Sequence, residues 1–455
     1  MIKLDSFEVN AENIKKVIDL FTSSELPRLE KLWAYYSANN DILNKSNSNN
    51  NQKNALNCAY AKYITKLQTG YFMGIPVKFN SSDESYLKEY KAILDDNFIN
   101  DVNYEMAKSA GIYGYSVEMI YQNEKSKTKI KKLDPKETII IFGTKMDEFL
   151  HTVIRYYKAC DVNGNITEIA TVYTNTSTQY FYKKANEDKF VENIEQREIN
   201  LFDEIPVVIY KNNEEMKSDF EDIINLNNAY DKSQSNTAND VDYFNDAYMV
   251  ISGSNDITDD DEINSESKVK STAEKMRQNK LMYFPDGGDA KFLVKDINDA
   301  ATENYKTRLD NDIHKFSMTP NLADEKFAGN LSGIAIKFKT IPLEENATEK
   351  ENKFRVGLRK RCEIVTSMIN KIKNTDYIYT DIIEEFTRNL PVNEIELTNT
   401  ILGLSSYISH RTLLELLPQI DNVDDELKRI EQEKDEYDKR DFEIVSQEEK
   451  NKTLN

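Results

Sequence analysis

The stretch Pro320–Lys373 reads PNLADEKFAGNLSGIAIKFKTIPLEENATEKENKFRVGLRKRCEIVTSMINKIK. It opens as a polar loop holding Gly329, Asn330, Ser332 and Gly333, passes through a short apolar run, Ile334–Phe338, and meets Pro342. From Leu343 to Ile372, apolar residues fall at Ala347, Phe354, Leu358, Cys362, Val365, Ile369 and Ile372, after the first step three or four apart. That spacing predicts one long helix with a single buried face. The other positions are mostly Glu, Lys, Arg and Asn, so the opposite face is expected in solvent. Pro342 has no amide hydrogen and is expected to start or to kink that helix.

Upstream, residues 1 to about 45 read as helix and carry the single tryptophan, Trp33. A polar run, NKSNSNNNQK, follows as a loop. A helix over Ala55–Leu67 then leads to Gly70, Gly74 and Pro76; Gly70 is expected to cap it and Pro76 to prevent its continuation. Tyr86–Leu94 and Asp101–Tyr113 are further predicted helices, with Gly111 and Gly114 marking a change to strand. From Lys129 to Tyr210 the apolar period becomes two, predicting strands over Thr138–Phe142, Leu150–Lys158, Ile166–Tyr173, Thr178–Lys183 and Val207–Tyr210. Asp161-Val162-Asn163-Gly164-Asn165 between two of them carries the Asn-Gly hairpin signal. It also resembles the start of a calcium loop, but its glycine falls one place early and no Glu closes the loop, so a hairpin is the expectation.

Helix is predicted again over Ser233–Ile251, with apolar residues at Ala238, Val241, Phe244, Ala247, Tyr248 and Ile251 and a first half almost wholly small and polar. So narrow a stripe suits packing against copies of itself in a ring; an ordinary amphipathic surface helix is the other reading. An acidic run, Asp259, Asp260, Asp261 and Glu262, reads as a solvated loop before it reads as a metal site. Lys280–Phe284 and Ala290–Lys295 read as strands around the turn Pro285-Asp286-Gly287-Gly288, and Ala300–Met318 as helix. From about residue 374 the chain reads as helical and increasingly charged, ending in a polar tail. The fold class expected is α+β, mainly helical.

A chain of 455 residues is too long for one ordinary core and suggests two to four regions. Lys and Arg number 59 against 79 Asp and Glu, a net charge of −20. This excess of acid disfavours static phosphate binding, which needs cations to release counterions. Three scattered cysteines, Cys58, Cys160 and Cys362, form neither a disulfide framework nor a zinc site, and Cys362 falls on the apolar face of the long helix. Met1–Asn10 lacks the pattern of a signal peptide, and no apolar run is long enough to span a bilayer. The expectation is a soluble chain, made in a reducing cytoplasm.

No enzyme signature emerges. The three histidines, His151, His314 and His410, lie in no HExxH motif and beside no cysteine pair. There is no GxGxxG, GK[ST] or GxSxG. His314 reads as a polar helix residue rather than a catalytic base. No cofactor and no metal site is expected.

Four stretches together resemble the portal proteins of tailed phages of the SPP1 type. Asn330-Leu331-Ser332-Gly333-Ile334-Ala335-Ile336-Lys337 matches that family's asparagine, serine–glycine and apolar–Ala–apolar pattern before a long charged helix. Lys53–Phe79 is similar to its N-terminal signature, with Gly70, Gly74 and Pro76. Asn228–Gly253 resembles its central helix and Ile408–Glu436 its C-terminal region. The stretches keep the family's order and span most of the chain.

The resemblance implies an architecture of wing, stem, clip and crown. Carried over by position, residues 1–228 are the wing, 229–253 a stem helix, 254–298 the clip and 299–318 the second stem helix. Residues 319–333 are the tunnel loop, 334–373 the long kinked helix, and 374–455 the crown with its polar tail. Asn321, Asp324, Glu325, Lys326 and Asn330 become the DNA-facing candidates of the loop, Pro342 the kink, and the acidic run at 259–262 part of the clip. The implied function is non-enzymatic: a dodecameric ring at a capsid vertex that passes double-stranded DNA in packaging and ejection. The implied partners are terminase, the major capsid and scaffold proteins, and a head-completion adaptor, with no membrane. An acidic tunnel wall would repel phosphate and let the duplex slide. The implied location is the virion, reached from the host cytoplasm. Two other readings stay open: a metal-dependent DNA-processing enzyme of a mobile element, and a portal-like component of a defective prophage particle.

Overall fold

Ile139, Ile140 and Ile141 are consecutive and all almost fully buried, which places their strand under cover on both faces. They belong to β5, and the fold is arranged around that sheet. In the computed structural model the described residues are 2–44, 54–145, 149–185, 187–202, 204–245, 248–252, 289–293, 299–322, 333–389, 401–415, 417, 420, 423 and 426–434. The chain forms two compact units, Met1–Asn389 and Leu390–Asn455.

The first unit begins with a short strand, β1 (Ile2–Leu4), where the sequence suggested helix. Then come α1 (Ala11–Ser24) and α2 (Leu26–Tyr36). Asn10 caps α1 by accepting from the Asn13 amide at 2.8 Å, and Pro27 sits in the first turn of α2, where its missing N–H costs nothing. Ile14, Val17, Ile18 and Phe21 form the buried stripe of α1. α3 spans Tyr60–Met73, later at both ends than the sequence suggested. Gly70 therefore lies inside α3 and does not cap it; Gly74 follows the last turn. β2 (Lys78–Asn80), α4 (Glu84–Asp96) and α5 (Ile99–Tyr113) come next.

The strands that follow are β3 (Tyr115–Gln122), β4 (Thr128–Leu133), β5 (Thr138–Gly143), β6 (Leu150–Cys160), β7 (Ile166–Tyr173) and β8 (Ser177–Lys184). Short β9 (Val191–Glu192) and β10 (Glu198–Ile199) both pair with β8, and β11 covers Val207–Lys211. The large sheet runs β1-β5-β6-β7-β8-β10, antiparallel except for the parallel β1–β5 pair. A second sheet has the order β11-β3-β4. The β6–β7 hairpin turns on Asp161–Asn165, with Gly164 at φ +86°. Asp161 Oδ1 accepts from the amides of Asn163 and Asn165, both at 2.8 Å, which identifies a side-chain-braced turn.

α6 (Ile224–Asn245) ends earlier than the sequence suggested, and Tyr248–Ser252 form a strand, β12. Its partner is β13 (Asp289–Leu293), antiparallel with Tyr248 opposite Leu293; the suggested strand at Lys280–Phe284 lies outside the described residues. α7 covers Asp299–Phe316 and packs against α6.

The long helix, α8, covers Gly333–Lys373, so it already contains the apolar run before Pro342 and does not start at that proline. Pro342 lies within it and leaves the Phe338 carbonyl without its helical donor. Ala347, Phe354, Leu358, Cys362, Val365 and Ile369 are buried as their spacing predicted, and Leu343 is buried with them. Ile372 is not: it is 59% exposed. Lys350 and Arg361, assigned by their charge to the solvent face, are buried instead.

Residues 374–389 correct the expectation of continued helix. They turn back, and Ile383–Glu385 form β14, antiparallel to β2. Phe386 stacks on Phe72 at 5.7 Å between ring centroids, and Arg388 reaches Glu344 at 3.1 Å and Glu351 at 2.8 Å. This segment thus fastens α8 to α3. In the second unit, α9 (His410–Glu415) and residues 426–434 are helical.

Candidate functional site

The end of α7 and the chain leaving it, Ser317–Leu322, are held by a set of directed polar contacts. Met318 adopts left-handed backbone, φ +54°, one way a helix is terminated. His314, in the last turn, has Nδ1 3.0 Å from the Thr319 carbonyl. A carbonyl only accepts, so Nδ1 carries the hydrogen. His314 serves as a capping residue here. Tyr60 donates to Asp310 Oδ1 at 2.6 Å, and its ring meets Tyr230 of α6 edge to face at 5.2 Å. Burial first, and then the neighbouring Asp310 carboxylate, push the Tyr60 phenol far above its ordinary range, so it acts as a fixed donor. Asn321 donates to Asp310 Oδ2 at 3.1 Å, and the Leu322 amide reaches the Tyr63 hydroxyl at 3.3 Å.

Gln68 lies at the centre of this set. It occupies the inner stripe of α3 with Ala61, Ile64, Thr65 and Phe72, and only 2% of it is exposed. Its Nε2 donates to the Ser317 carbonyl and to Thr319 Oγ1, both at 2.9 Å. Its Oε1 accepts from Asn346 Nδ2 at 2.9 Å and from Lys350 Nζ at 2.7 Å, both on α8. A primary amide offers two donors and two acceptor lone pairs, and all four are engaged. Lys350 in turn lies 2.7 Å from Asp219 Oδ1, with the Asp219 side chain wholly buried. Asn212 also donates to that oxygen at 2.8 Å.

α6 explains its own composition. Asn227, Asp231, Ser235, Asn239 and Asp242 lie along it at helical spacing and meet the extended residues 54–58. Asp231 Oδ1 accepts from the Cys58 amide at 2.7 Å and Oδ2 from Asn40 at 2.6 Å. Ser235 Oγ accepts from the Leu56 amide at 2.9 Å, Asn239 from the Asn54 amide at 2.9 Å, and Asp242 from the Asn54 side chain at 2.6 Å. The small polar half of this helix is therefore a rail for backbone of the same chain.

Of the residues singled out in the sequence, Asn321 belongs to the contacts at the end of α7, Gly333 opens α8 and Ala335 is in its first turn. Asp324, Glu325, Lys326, Asn330, Ser332, and Asp259–Glu262 lie outside the described residues. A Cβ on Gly74 would overlap the Gly70 carbonyl and the Asn389 side chain, whereas one on Gly70 would meet nothing; Pro76 is exposed just beyond α3. Gln68, Thr319 and Lys350 were missed. The one available signal was position: an amide at an apolar phase of α3 and an ammonium at an apolar phase of α8.

Among the described residues no group of three or more His, Cys, Asp and Glu could hold a metal ion. A surface depression of about 420 Å³ along α4 is lined by Glu84, Leu87, Lys88, Lys91, Ala92 and Asp95, with no imidazole or thiol. No described helix is long and apolar enough to cross a membrane. The three cysteines are unpaired. What the site does chemically is position chain, through donors and acceptors matched in buried surroundings.

Residues 17–440 match the family described as Phage portal protein, SPP1 Gp6-like. The chain belongs to this family, the phage portal proteins, and a portal function follows from that membership. The portal protein of Bacillus phage SPP1 is 22% identical over 444 residues, covering 94% of this chain and 85% of that protein. The portal protein of Clostridium phage phiCD119 is 24% identical over 445 residues, covering 92% and 96%. Among solved structures, a chain from the neck of an empty GTA particle computed with C6 symmetry has a TM-score of 0.48 at 11% identity, covering 80% of this chain and 91% of that one. A chain from the neck of a native GTA particle computed with C12 symmetry has a TM-score of 0.45 at 9% identity, covering 80% and 90%.

Proposed function

We propose that the protein assembles into a closed, dodecameric ring at one capsid vertex and passes double-stranded DNA through its centre during packaging and ejection. The family match over residues 17–440 carries this reading. In it, residues 1–228 form the wing, and α6 from residue 229 onward together with α7, against which it packs, forms the stem. Residues 254–298 are the clip, and Tyr248–Ser252, being strand β12 paired with β13 rather than stem helix, is assigned to it as well. Residues 319–333 are the loop facing the channel, with Asn321, Asp324, Glu325, Lys326 and Asn330 as its candidates for meeting DNA, and α8 leads to the crown. The crown is best drawn from residue 390, because 374–389 pack into the first unit. Terminase docks on the ring during packaging, scaffold and major capsid protein surround it, and a head-completion adaptor follows, all without enzymatic activity in this chain. Assembly takes place in the host cytoplasm and ends in the virion.

The net charge of −20 supports transit without retention, since few phosphates can be neutralised by so acidic a chain. Negative-stain electron microscopy and mass photometry of the purified protein, with and without scaffold, test the ring. Rings with a central channel are expected; a stable monomer at high concentration in both settings overturns the reading. A fluorescence titration of duplex DNA across salt is expected to give weak binding at physiological salt. Tight binding with a steep salt slope would overturn the electrostatic part alone.

A further inference from the structure

We infer that Gln68 is a positioning residue that couples the end of α7 to α8, and thereby sets how the chain on either side of residues 323–332 is held. The inference rests on geometry inside the first unit; its consequence for DNA rests on the portal reading above.

Three observations carry it. Gln68 is on α3, which is neither of the elements it joins, so it can hold both without belonging to either. Its amide is polarised in one sense: the NH₂ end addresses Ser317 and Thr319 at the exit of α7, and the oxygen addresses Asn346 and Lys350 on α8. Two of the partners fix that orientation. The Ser317 carbonyl can only accept and the Lys350 ammonium can only donate, so the amide cannot be reversed without setting like against like. Finally, Gln68, Ser317, Thr319 and Lys350 are each at most 5% exposed. Water therefore cannot readily replace a contact that is lost, and an unmade bond there carries its desolvation cost.

The consequence is that α8 cannot slide or turn near Asn346–Lys350 without releasing hydrogen bonds that also fix Thr319. The Lys350–Asp219 pair extends this chain of contacts to the segment preceding α6. A strain applied at one side is transmitted through a single side chain, with α3 as the fulcrum.

The coupling predicts effects at a distance, which a mere strut would not give. Asn346→Ala removes one donor on α8 and leaves the α7 side chemically intact. Gln68→Glu keeps the oxygen toward Asn346 and Lys350 but replaces the amide donor that the Ser317 carbonyl needs. Hydrogen exchange of the full-length protein would be read at the amides of Ser317 and Thr319, which bond to Ile313 and His314. It would also be read at residues 346–350 and, as a remote control, in β6 and β7. Gln68→Glu is expected to raise exchange at Ser317 and Thr319 by about tenfold, the factor that the loss of one or two ordinary hydrogen bonds corresponds to. Asn346→Ala is expected to raise it there too, by a smaller factor, with β6 and β7 unchanged. If Asn346→Ala changes only residues 346–350, or if both variants raise exchange uniformly through β6 and β7, the coupling is overturned. In particles, both variants should form rings as the parent does and retain less nuclease-protected DNA. Full retention alongside the exchange effect would remove the DNA consequence and leave the coupling. Absence of rings from the parent itself would instead sink the portal reading and leave the exchange result to stand.

Discussion

Arg361 of α8 forks onto Glu118 of β3 at the centre of the first unit, with both side chains wholly buried. Nε lies 2.8 Å from Glu118 Oε1 and Nη2 bonds Oε2, while Nη1 donates to Asn103 Oδ1 of α5 at 2.7 Å. The Tyr210 hydroxyl adds a donor to Glu118 Oε1 at 3.3 Å, and its ring faces the guanidinium. Burial alone would lower the Arg361 pKa, but the Glu118 charge outweighs it and the net shift is upward, so the guanidinium stays charged. Residues of α5, β3 and β11 thus meet on one planar group of α8.

Breaking that pair on one side leaves a buried charge unanswered. Arg361→Met and Glu118→Leu are each expected to cost about 3–5 kcal/mol in urea unfolding. The double variant Arg361→Met/Glu118→Leu should lose much less than the sum, because no charge is left behind. Additive costs in that cycle would show that the pair acts only through volume.

Gly357 brings α8 close to β11. A Cβ there would fall within the ring of Tyr210. Gly357→Ala is expected to destabilise by about 1–3 kcal/mol through overpacking. Gly114 is constrained differently: at φ +89° it ends α5, and a Cβ would strike the Met216 carbonyl. Gly114→Ala should cost a similar amount through backbone strain plus that overlap. Thermal unfolding followed by Trp33, which stacks on Tyr113 at 6.3 Å, reads both. A melting curve like the parent's for either variant would contradict the packing described.

Two carboxyls make opposite contributions to pH dependence. Burial tends to raise Glu221, but the two-pronged contact from Arg28, at 2.8 and 2.6 Å, and the Ser218 amide outweigh it, so its pKa is below the ordinary 4.5. Its stabilisation is present above that ordinary value and is lost as pH falls through the folded pKa. Asp231 is raised above its ordinary 3.8 by burial, against the opposing bonds from Asn40 and Cys58. Its contribution is present below that value and is lost as pH rises through the folded pKa. Urea unfolding from acid to neutral pH should therefore show Glu221→Gln losing stability at neutral pH and flattening the acid limb. Asp231→Asn should remove the opposing loss. A common slope for parent and Glu221→Gln below the ordinary carboxylate range would exclude the Arg28 pair as a source of acid sensitivity.

The polar rail of α6 can be tested one contact at a time. Ser235→Ala removes the acceptor of the Leu56 amide, with Ser235 only 1% exposed. The expected cost is about 0.5–1.5 kcal/mol, that of one ordinary hydrogen bond, since Leu56 is itself exposed and water can reach its amide. It should come with faster hydrogen exchange at Leu56 and little change in the large sheet. Unchanged exchange at Leu56 would mean that the amide finds another partner.

Local elements were legible in the sequence because they follow from short-range periodicity. The strand Ile166–Tyr173, the turn at Gly164, and the apolar seam of α8 each depend on residues a few positions apart. Four short stretches in a fixed order were likewise enough to indicate the portal family. What periodicity cannot do is tell a charged residue that faces water from one whose partner arrives from far along the chain. Lys350 and Arg361 both sit in the buried phase of α8, and only Asp219, Gln68, Glu118 and Asn103 make those positions tenable. Residues 374–389 have helical composition, yet β2 offers an unpaired edge and Phe72 and Glu344 offer partners, so tertiary pairing overrides propensity there. The same holds for Gln68. The sequence indicated a helix only as far as Leu67, one residue short of it; the tertiary structure alone decided that its four hydrogen-bonding valences would join two other helices, because buried polar groups take their meaning from the partners that folding brings to them.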